Sequence, residues 1–233
     1  MLYSDFTIII PTLNEAGNLP TLLAQLLLLY PSAQILVVDD VSKDGTHEVV
    51  NNFEQQNPGV VKLLVRHNAE ARGITASVMD GILLTNTKYF SVIDGDLQHP
   101  PTVLKLLFEK LLAGQDLVAG ARLPYVEKQG FHRIFATKVS TWAAKLILYL
   151  RGLKIADPMS GVFAAKTDLV TPLVRNHSKR FEPCGYKVLF DILRIIPTPV
   201  SVDNVFYSFA VRESGHSKLR LAHAIYFMRS LFK

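Results

Sequence analysis

The chain is predicted to fold as one α/β domain, with a mostly parallel sheet, helices on both faces and an elaborated C-terminal third. Two observations predict this. Short apolar runs rich in Ile and Val alternate with helical patterns through the first half, and polar residues gather where the early runs end. Runs with almost no polar alternation suit strands buried on both faces. The β–α rhythm argues for parallel pairing through crossover helices. At 233 residues the chain is long enough for one such domain and short of two comfortable ones.

The elements follow in order. Strands are predicted at Phe6–Pro11, Gln34–Asp40, Val60–Arg66, Tyr89–Asp94 and Asp116–Ala121. Helices are predicted between them at Asn18–Tyr30, where Pro31 stops the run, and at Thr46–Gln56, Gly73–Thr85 and Thr102–Ala113. Asp44 and Thr46 are plausible N-cap residues. The second half is less regular. A helical pattern covers roughly Arg133–Arg151, with Trp142, Leu146 and Tyr149 at helical spacing and read as core-facing. Strands are expected near Gly161–Lys166 and Val200–Phe209, and helices near Gly185–Ile195 and over Ser217–Lys233. There is no repeat and no low-complexity linker.

Hydrophobic residues make up 49% and charged residues 19% of the chain, a globular composition. A net charge of +5 favours anionic partners: nucleotides, phospholipid surfaces or nucleic acid. The single cysteine, Cys184, excludes an intramolecular disulfide and reads as a small filler beside a helix start. No basic segment precedes the first strand, so no signal peptide is expected. Nothing approaches the roughly 20 apolar residues that span a bilayer. The protein is expected to be soluble, to sit on a membrane without crossing it, or to have lost a spanning tail.

Polar clusters end the first, second and fourth strands. They are Pro11-Thr12-Leu13-Asn14-Glu15, then Asp39-Asp40-Val41-Ser42-Lys43-Asp44-Gly45-Thr46, then Asp94-Gly95-Asp96-Leu97-Gln98-His99-Pro100. In a parallel sheet, ligands gather at the carboxyl ends of the strands. Residues two apart in a strand face one side, so Asp94 and Asp96 are expected to converge on one ion, Gly95 permits close approach, and Gln98 adds a neutral oxygen. Oxygen ligands suit Mg²⁺ or Mn²⁺, which keep positions open for substrate phosphates. The first strand is followed by no G-x-G-x-x-G, and there is no P-loop. A bound diphosphate is therefore left to metal and to basic side chains, for which Arg122, Arg133, Arg212 and Lys218 are candidates. His99 is placed to touch phosphate or ion, or to make a loop hydrogen bond. Asp157 reads as a base or sugar-orienting group, or as a turn residue beside Pro158.

These motifs, with Asp157-Pro158-Met159-Ser160-Gly161 and Arg212-Glu213-Ser214-Gly215-His216-Ser217-Lys218, resemble the polyprenyl-phosphate (dolichyl-phosphate) mannose synthase group of the family 2 glycosyltransferases. The resemblance runs from Thr7 to about Leu219. It implies a GT-A fold, Rossmann-like, and transfer of a hexose from GDP-mannose or UDP-glucose to a polyprenyl or dolichyl phosphate. Pro11, Asn14, Glu15 and Asp40 would line the donor site, with Asp94 and Gly95 beside them. Asp96 and Gln98 would hold the metal. Arg122, Arg133 and Thr137 would bind the acceptor phosphate, and Arg212, Ser217 and Lys218 would close over the phosphates. The chain departs from the group at Val41, where a small residue is usual, at Thr137 in place of Ser, at Phe206 in place of Pro, and in the loop at Lys128-Gln129-Gly130.

Two rival readings remain. One keeps the fold and changes the acceptor to a sugar, a glycan or a protein. The other is a basic nucleotide- or nucleic-acid-binding domain, which leaves Asp94, Asp96 and Gln98 without a role because carboxylates repel a phosphate backbone. Nucleic acid is therefore not an expected partner. The expected location is the cytosolic face of a membrane. Leu221, Ile225, Met228 and Phe232 fall on one stripe of a 217–233 helix, flanked by Lys218, Arg229 and Lys233, as in an in-plane interfacial helix. The alternatives are a helix packed on the core, a continuation into membrane spans, or a separate membrane-spanning subunit.

Overall fold

The computed structural model describes residues 3–67, 72–123, 131–185, 187–209 and 226, without the side chains of 131–140. Strands β1 (Phe6–Thr12), β2 (Gln34–Asp39), β3 (Val61–Val65) and β4 (Tyr89–Val92) pair in parallel in the order β3-β2-β1-β4. β5 (Leu117–Arg122) and β7 (Val202–Tyr207) are parallel to each other, and β6 (Phe163–Lys166) runs antiparallel between β4 and β5. One antiparallel strand is thus inserted into an otherwise parallel seven-stranded sheet, in the order β3-β2-β1-β4-β6-β5-β7.

Alternation along the central strands builds a core on each face. Ile8 and Ile10 of β1 join Val37 and Val118 in one cluster, while Ile9 points to the other with Val38, Phe90 and Phe163. The first cluster is capped by α1 (Leu19–Leu29), α2 (Thr46–Gln56) and α4 (Val103–Leu112). α1 buries Leu19, Leu22, Leu23 and Leu26, a single helical stripe, and ends just before Pro31. The second cluster is capped by α3 (Ile74–Leu84), α5 (Phe131–Leu150), α6 (Thr167–Asn176) and α7 (Val188–Ile195). Phe163, Phe181, Leu189, Phe190 and Leu193 lie there with no exposure.

Three expectations need correction. α6 was not foreseen, because Pro172 inside it interrupts the helical pattern. β4 stops at Val92, two residues short of Asp94, and Gly95-Asp96 forms a turn. The third concerns α5. Trp142, Leu146 and Tyr149 were read as core, yet they are 66%, 41% and 64% exposed, and Leu150 is 78% exposed. Among the described side chains of that helix the buried stripe is carried instead by Ala144 and Leu148. Equal hydrophobicity on two faces of a helix leaves periodicity unable to tell the inner one.

Candidate active site at the carboxyl ends of the strands

The loops after β1 and β2 are stitched together. The Asn14 amide donates to Ser42 Oγ at 2.6 Å, the Lys43 amide to Asn14 Oδ1 at 2.8 Å, the Glu15 amide to Thr46 Oγ1 at 3.0 Å and the Ala16 amide to Asp44 at 3.1 Å. Asp44 also accepts the amide of Thr46, although Gly45 takes the N-cap place itself. Asp39, fully buried, anchors this lattice by accepting from Thr12 Oγ1 (3.0 Å), from the Ser42 amide (2.7 Å) and hydroxyl (2.5 Å), with His47 Nε2 at 2.6 Å. Val41 is held at φ 63, where a β-branched residue is strained. That is the position at which the resemblance anticipates a small residue.

Asp40 is buried and engaged on both oxygens. Arg66 Nη1 donates to Oδ1 at 2.8 Å, and the Gly73 amide, at the start of α3, donates to Oδ2 at 2.9 Å. Burial raises its pKa; Arg66 and the Gly73 amide offset that only in part. Arg66 is itself buried and donates through Nε to Asp80 at 2.6 Å. A Cβ at Gly73 would lie 2.8 Å from the Pro183 carbonyl oxygen, and its φ of 145 lies outside the range L side chains favour.

The turn after β4 holds the carboxylates. Asp94 Oδ2 is 3.1 Å from His99 Nε2, and His99 Nδ1 is 2.5 Å from the Tyr207 hydroxyl. A carboxylate only accepts, so Nε2–H donates to Asp94, and in the neutral ring Nδ1 accepts from Tyr207. Of the two roles open to His99, the structure shows the hydrogen-bonding one. Burial raises the Asp94 pKa, but His99, Lys187 and Arg122 outweigh it and hold the carboxyl below its ordinary value. Gly161 leaves room for this group, since a Cβ there would sit 2.2 Å from Asp94 Oδ2. Asp96 follows at the turn, 7% exposed, and accepts the Gln98 amide at 3.2 Å.

Arg122, at the end of β5, donates to both oxygens of Asp157, through Nε at 2.7 Å and Nη2 at 3.3 Å. The Asp157 carboxyl also accepts the Met159 amide at 3.1 Å. Burial raises the Asp157 pKa, yet Arg122 and Lys187 bring it below its ordinary value, which makes Asp157 a poor general base. Lys187 is the counterpart: burial first, then repulsion by Arg122, drive its pKa down to about 7, against the attraction of Asp157 and Asp94. The Arg122 guanidinium also lies 5.5 Å from the centroid of the Phe209 ring.

The structure therefore ties Asn14 and Glu15 into the loop lattice that adjoins Asp40, and it gathers Asp94, Arg122 and Asp157 with Lys187. Pro11 is buried within β1 opposite Val38, so its ring packs in the sheet. Arg133 and Thr137 fall in the first turns of α5, but their side chains lie outside the described residues. Arg212, Ser217, Lys218 and the loop at 128–130 lie outside them altogether, and of the 217–233 segment only Tyr226 is described, in helix. Sequence reasoning missed Arg66, Lys187 and Tyr207, each a lone polar residue beside or within an apolar element with no motif around it. Among the described residues no group of three or more His, Cys, Asp or Glu side chains is placed to hold a metal. Asp96 and Gln98, with Asp94 beside them, still fit an ion that takes few protein ligands and completes its shell with water and phosphate oxygens, as Mg²⁺ does.

A mostly parallel sheet with one inserted antiparallel strand, carrying an Asp-x-Asp turn at the carboxyl end of β4, defines a GT-A glycosyltransferase. Residues 7–170 match the glycosyl transferase family 2 model, and the chain belongs to that family. It is similar to the dolichol-phosphate mannosyltransferase of Pyrococcus furiosus, 32% identical over 233 residues that cover 97% of this chain and 62% of that protein. The chain thus spans less than two thirds of that relative. It is also similar to the dolichol-phosphate mannosyltransferase of Saccharomyces cerevisiae, at 28% identity over 97% of this chain and 85% of that protein. Among solved structures it resembles glucosyl-3-phosphoglycerate synthase from Mycobacterium tuberculosis in complex with UDP, with a TM-score of 0.69, 21% identity, and coverage of 97% and 78%. The same enzyme with Mn²⁺, UDP and glucosyl-3-phosphoglycerate gives 0.65 at 22% identity, covering 97% and 77%. At these identities the structural likeness concerns the fold alone.

Proposed function

We propose that the chain is an inverting glycosyltransferase that moves a hexose, mannose rather than glucose, from a nucleoside diphosphate sugar to a polyprenyl or dolichyl phosphate, with Mg²⁺ or Mn²⁺. The observation that carries this reading is the grouping of two ionised carboxylates, Asp94 and Asp157, with the Arg122 guanidinium and the Lys187 amine at the carboxyl ends of the strands. The carboxylates suit the orientation of sugar hydroxyls, and the two basic groups suit a phosphate. The 32% likeness to a dolichol-phosphate mannosyltransferase supports the lipid acceptor.

In this reading Asp40, set by Arg66 and the Gly73 amide, receives the nucleoside. Asp96 and Gln98 would hold the ion, whose contribution when bound would be to offset negative charge on the leaving diphosphate. Asp94, oriented by His99 and by the room Gly161 leaves, borders the sugar. The acceptor phosphate has a second pKa of about 6 and is largely anionic near neutrality. It therefore needs no strong base, and in-line placement is the protein's main contribution. Asp157, kept ionised by Arg122, orients groups and does not remove a proton. A donor panel tests this reading. GDP-mannose with Mn²⁺ or Mg²⁺ is expected to raise the melting temperature, because a ligand bound only by the folded state stabilises it. A shift with UDP-glucose alone would reassign the donor, and no shift with any sugar nucleotide would refute the reading.

A polyprenyl tail stays in the bilayer, so the enzyme must meet it there. Among the described residues no helix is long and apolar enough to cross a membrane. α5, which carries Arg133 and Thr137 in its first turns, goes on to expose Trp142, Leu146, Tyr149 and Leu150 along one stripe. This stripe and the 217–233 segment are two candidate contacts with a cytosolic membrane face. Liposome flotation of the intact chain, of a chain ending near Lys218, and of a Trp142→Ser/Tyr149→Ser variant separates them. We expect the intact chain to float with anionic lipid and both altered forms to float less. Flotation unaffected by either change would place the anchor elsewhere, and none for the intact chain would point to a membrane-spanning partner.

A further inference from the structure

Lys187 belongs to none of the motifs that mark this site, yet it lies half-buried among the charges of the site. It is the residue before α7, whose Leu189, Phe190, Ile192 and Leu193 are fully buried and fix the backbone from which the lysine projects. Its Nζ donates to the Met159 carbonyl at 3.3 Å, two residues from Asp157. Three charged groups act on it from three other elements: Arg122 from the end of β5, Asp157 from the loop before β6, and Asp94 from the turn after β4.

The two carboxylates in this group each have a close partner already. Asp157 receives Arg122 on both oxygens, and Asp94 is bonded by His99. Arg122 therefore meets an incoming anion with much of its charge answered by Asp157, and by itself is a weak receiver of a phosphate. A lysine beside it changes that balance. Burial has brought the ammonium to about 7, so a phosphate arriving next to it restores its proton as well as its charge. We propose that Lys187, together with Arg122, holds the phosphate group of the acceptor and sets it in line with the donor sugar. The inference rests on the reading that the acceptor is a phosphate monoester. That chemistry is shared by a lipid phosphate and by a small phosphorylated acid.

The test compares the full-length chain with Lys187→Ala and Lys187→Arg. Two probes are used, a water-soluble short-chain polyprenyl phosphate and 3-phosphoglycerate, and the readouts are calorimetric binding, KM and kcat. Lys187→Ala is expected to weaken binding of the preferred probe and to raise its KM by roughly 10- to 100-fold, the usual span for a charge-assisted contact. Affinity for GDP or UDP should stay within about twofold, and Lys187→Arg should recover a substantial part of the loss, which a merely structural role would not allow. Lys187→Met, which keeps the aliphatic stem, repeats the measurement should the Ala variant unfold. Unchanged phosphate binding in a folded variant overturns the proposal. An equal loss of nucleotide affinity also overturns it and assigns Lys187 to the donor diphosphate. Wild-type protein that binds neither probe removes both this proposal and the acceptor reading. Lys187-dependent binding of a probe that receives no sugar leaves a phosphate site at Lys187 but refutes its assignment to the acceptor.

Discussion

Asp96→Ala is expected to reduce transfer by at least about 10³-fold, at the upper end of what removing one charge-stabilising group costs. It should also remove the metal-dependent part of donor binding. The structure adds a condition to this expectation. Asp96 is nearly buried and accepts the Gln98 amide, so its truncation leaves a polar group unsatisfied and costs about 1–3 kcal/mol of stability. Asp96→Asn keeps the shape and the acceptor oxygen while removing the charge, and it separates the two effects. Both variants should lose the Mn²⁺-dependent rise in donor affinity, with the Asn form melting closer to wild type. An Asn variant with normal turnover and an intact metal response would take the ion away from this turn.

Arg122→Ala should cut transfer to the phosphate acceptor by roughly 10- to 100-fold, from the loss of one charge-assisted contact. Sugar-nucleotide affinity should be spared. Because the same guanidinium holds Asp157, the variant also releases that carboxylate. Its pKa then rises from its lowered value, where burial is offset chiefly by Arg122. The sign is definite. A carboxylate with a depressed folded pKa contributes stability above its unfolded value, and that contribution fades as pH falls through the folded one. Wild type should therefore hold its melting temperature further into acid than Arg122→Ala does. Arg122→Lys keeps the charge and loses the two-point grip, and is expected to fall between them. If donor affinity drops as far as transfer does, Arg122 serves the diphosphate instead.

The parts of this protein that were legible in its sequence share a physical reason. Central strands such as Ile8–Ile10 and Leu36–Val38 are buried on both faces, and uninterrupted apolar runs announce that directly. The loops after them must carry polar groups at a fixed sheet edge, so the placement of Asp40, Asp94 and Asp96 at that edge followed from position alone. What was not legible depends on contacts between distant segments. Arg66 finds Asp40 across 26 residues, Tyr207 finds His99 across 108, and Arg122 finds Asp157 across 35. Each looks like an ordinary side chain until the fold closes. Lys187 shows the same limit, since nothing in Gly185-Tyr186-Lys187 signals that the residue before α7 will set its amine among the charges of Arg122, Asp157 and Asp94. The misread face of α5 has another cause. That helix is apolar on both sides, and only the position of the sheet selects Ala144 and Leu148 for the core while Trp142 and Tyr149 stay outside.

Whether this family 2 enzyme makes a glycosyl phosphate linkage on a polyprenyl phosphate is tested by mass spectrometry of one competition reaction. The mixture holds the intact chain, GDP-mannose carbon-13-labelled in its mannose and unlabelled UDP-glucose, Mn²⁺ or Mg²⁺, and equal concentrations of short-chain polyprenyl phosphate, 3-phosphoglycerate and free mannose, so that the mass of the product tells the two hexoses apart. A hexosyl phosphate lipid is expected as the dominant product, with mannose as the hexose, dependent on the metal and absent with Asp96→Asn. A hexosyl phosphoglycerate or a disaccharide as the main product, with the lipid phosphate untouched, would contradict it.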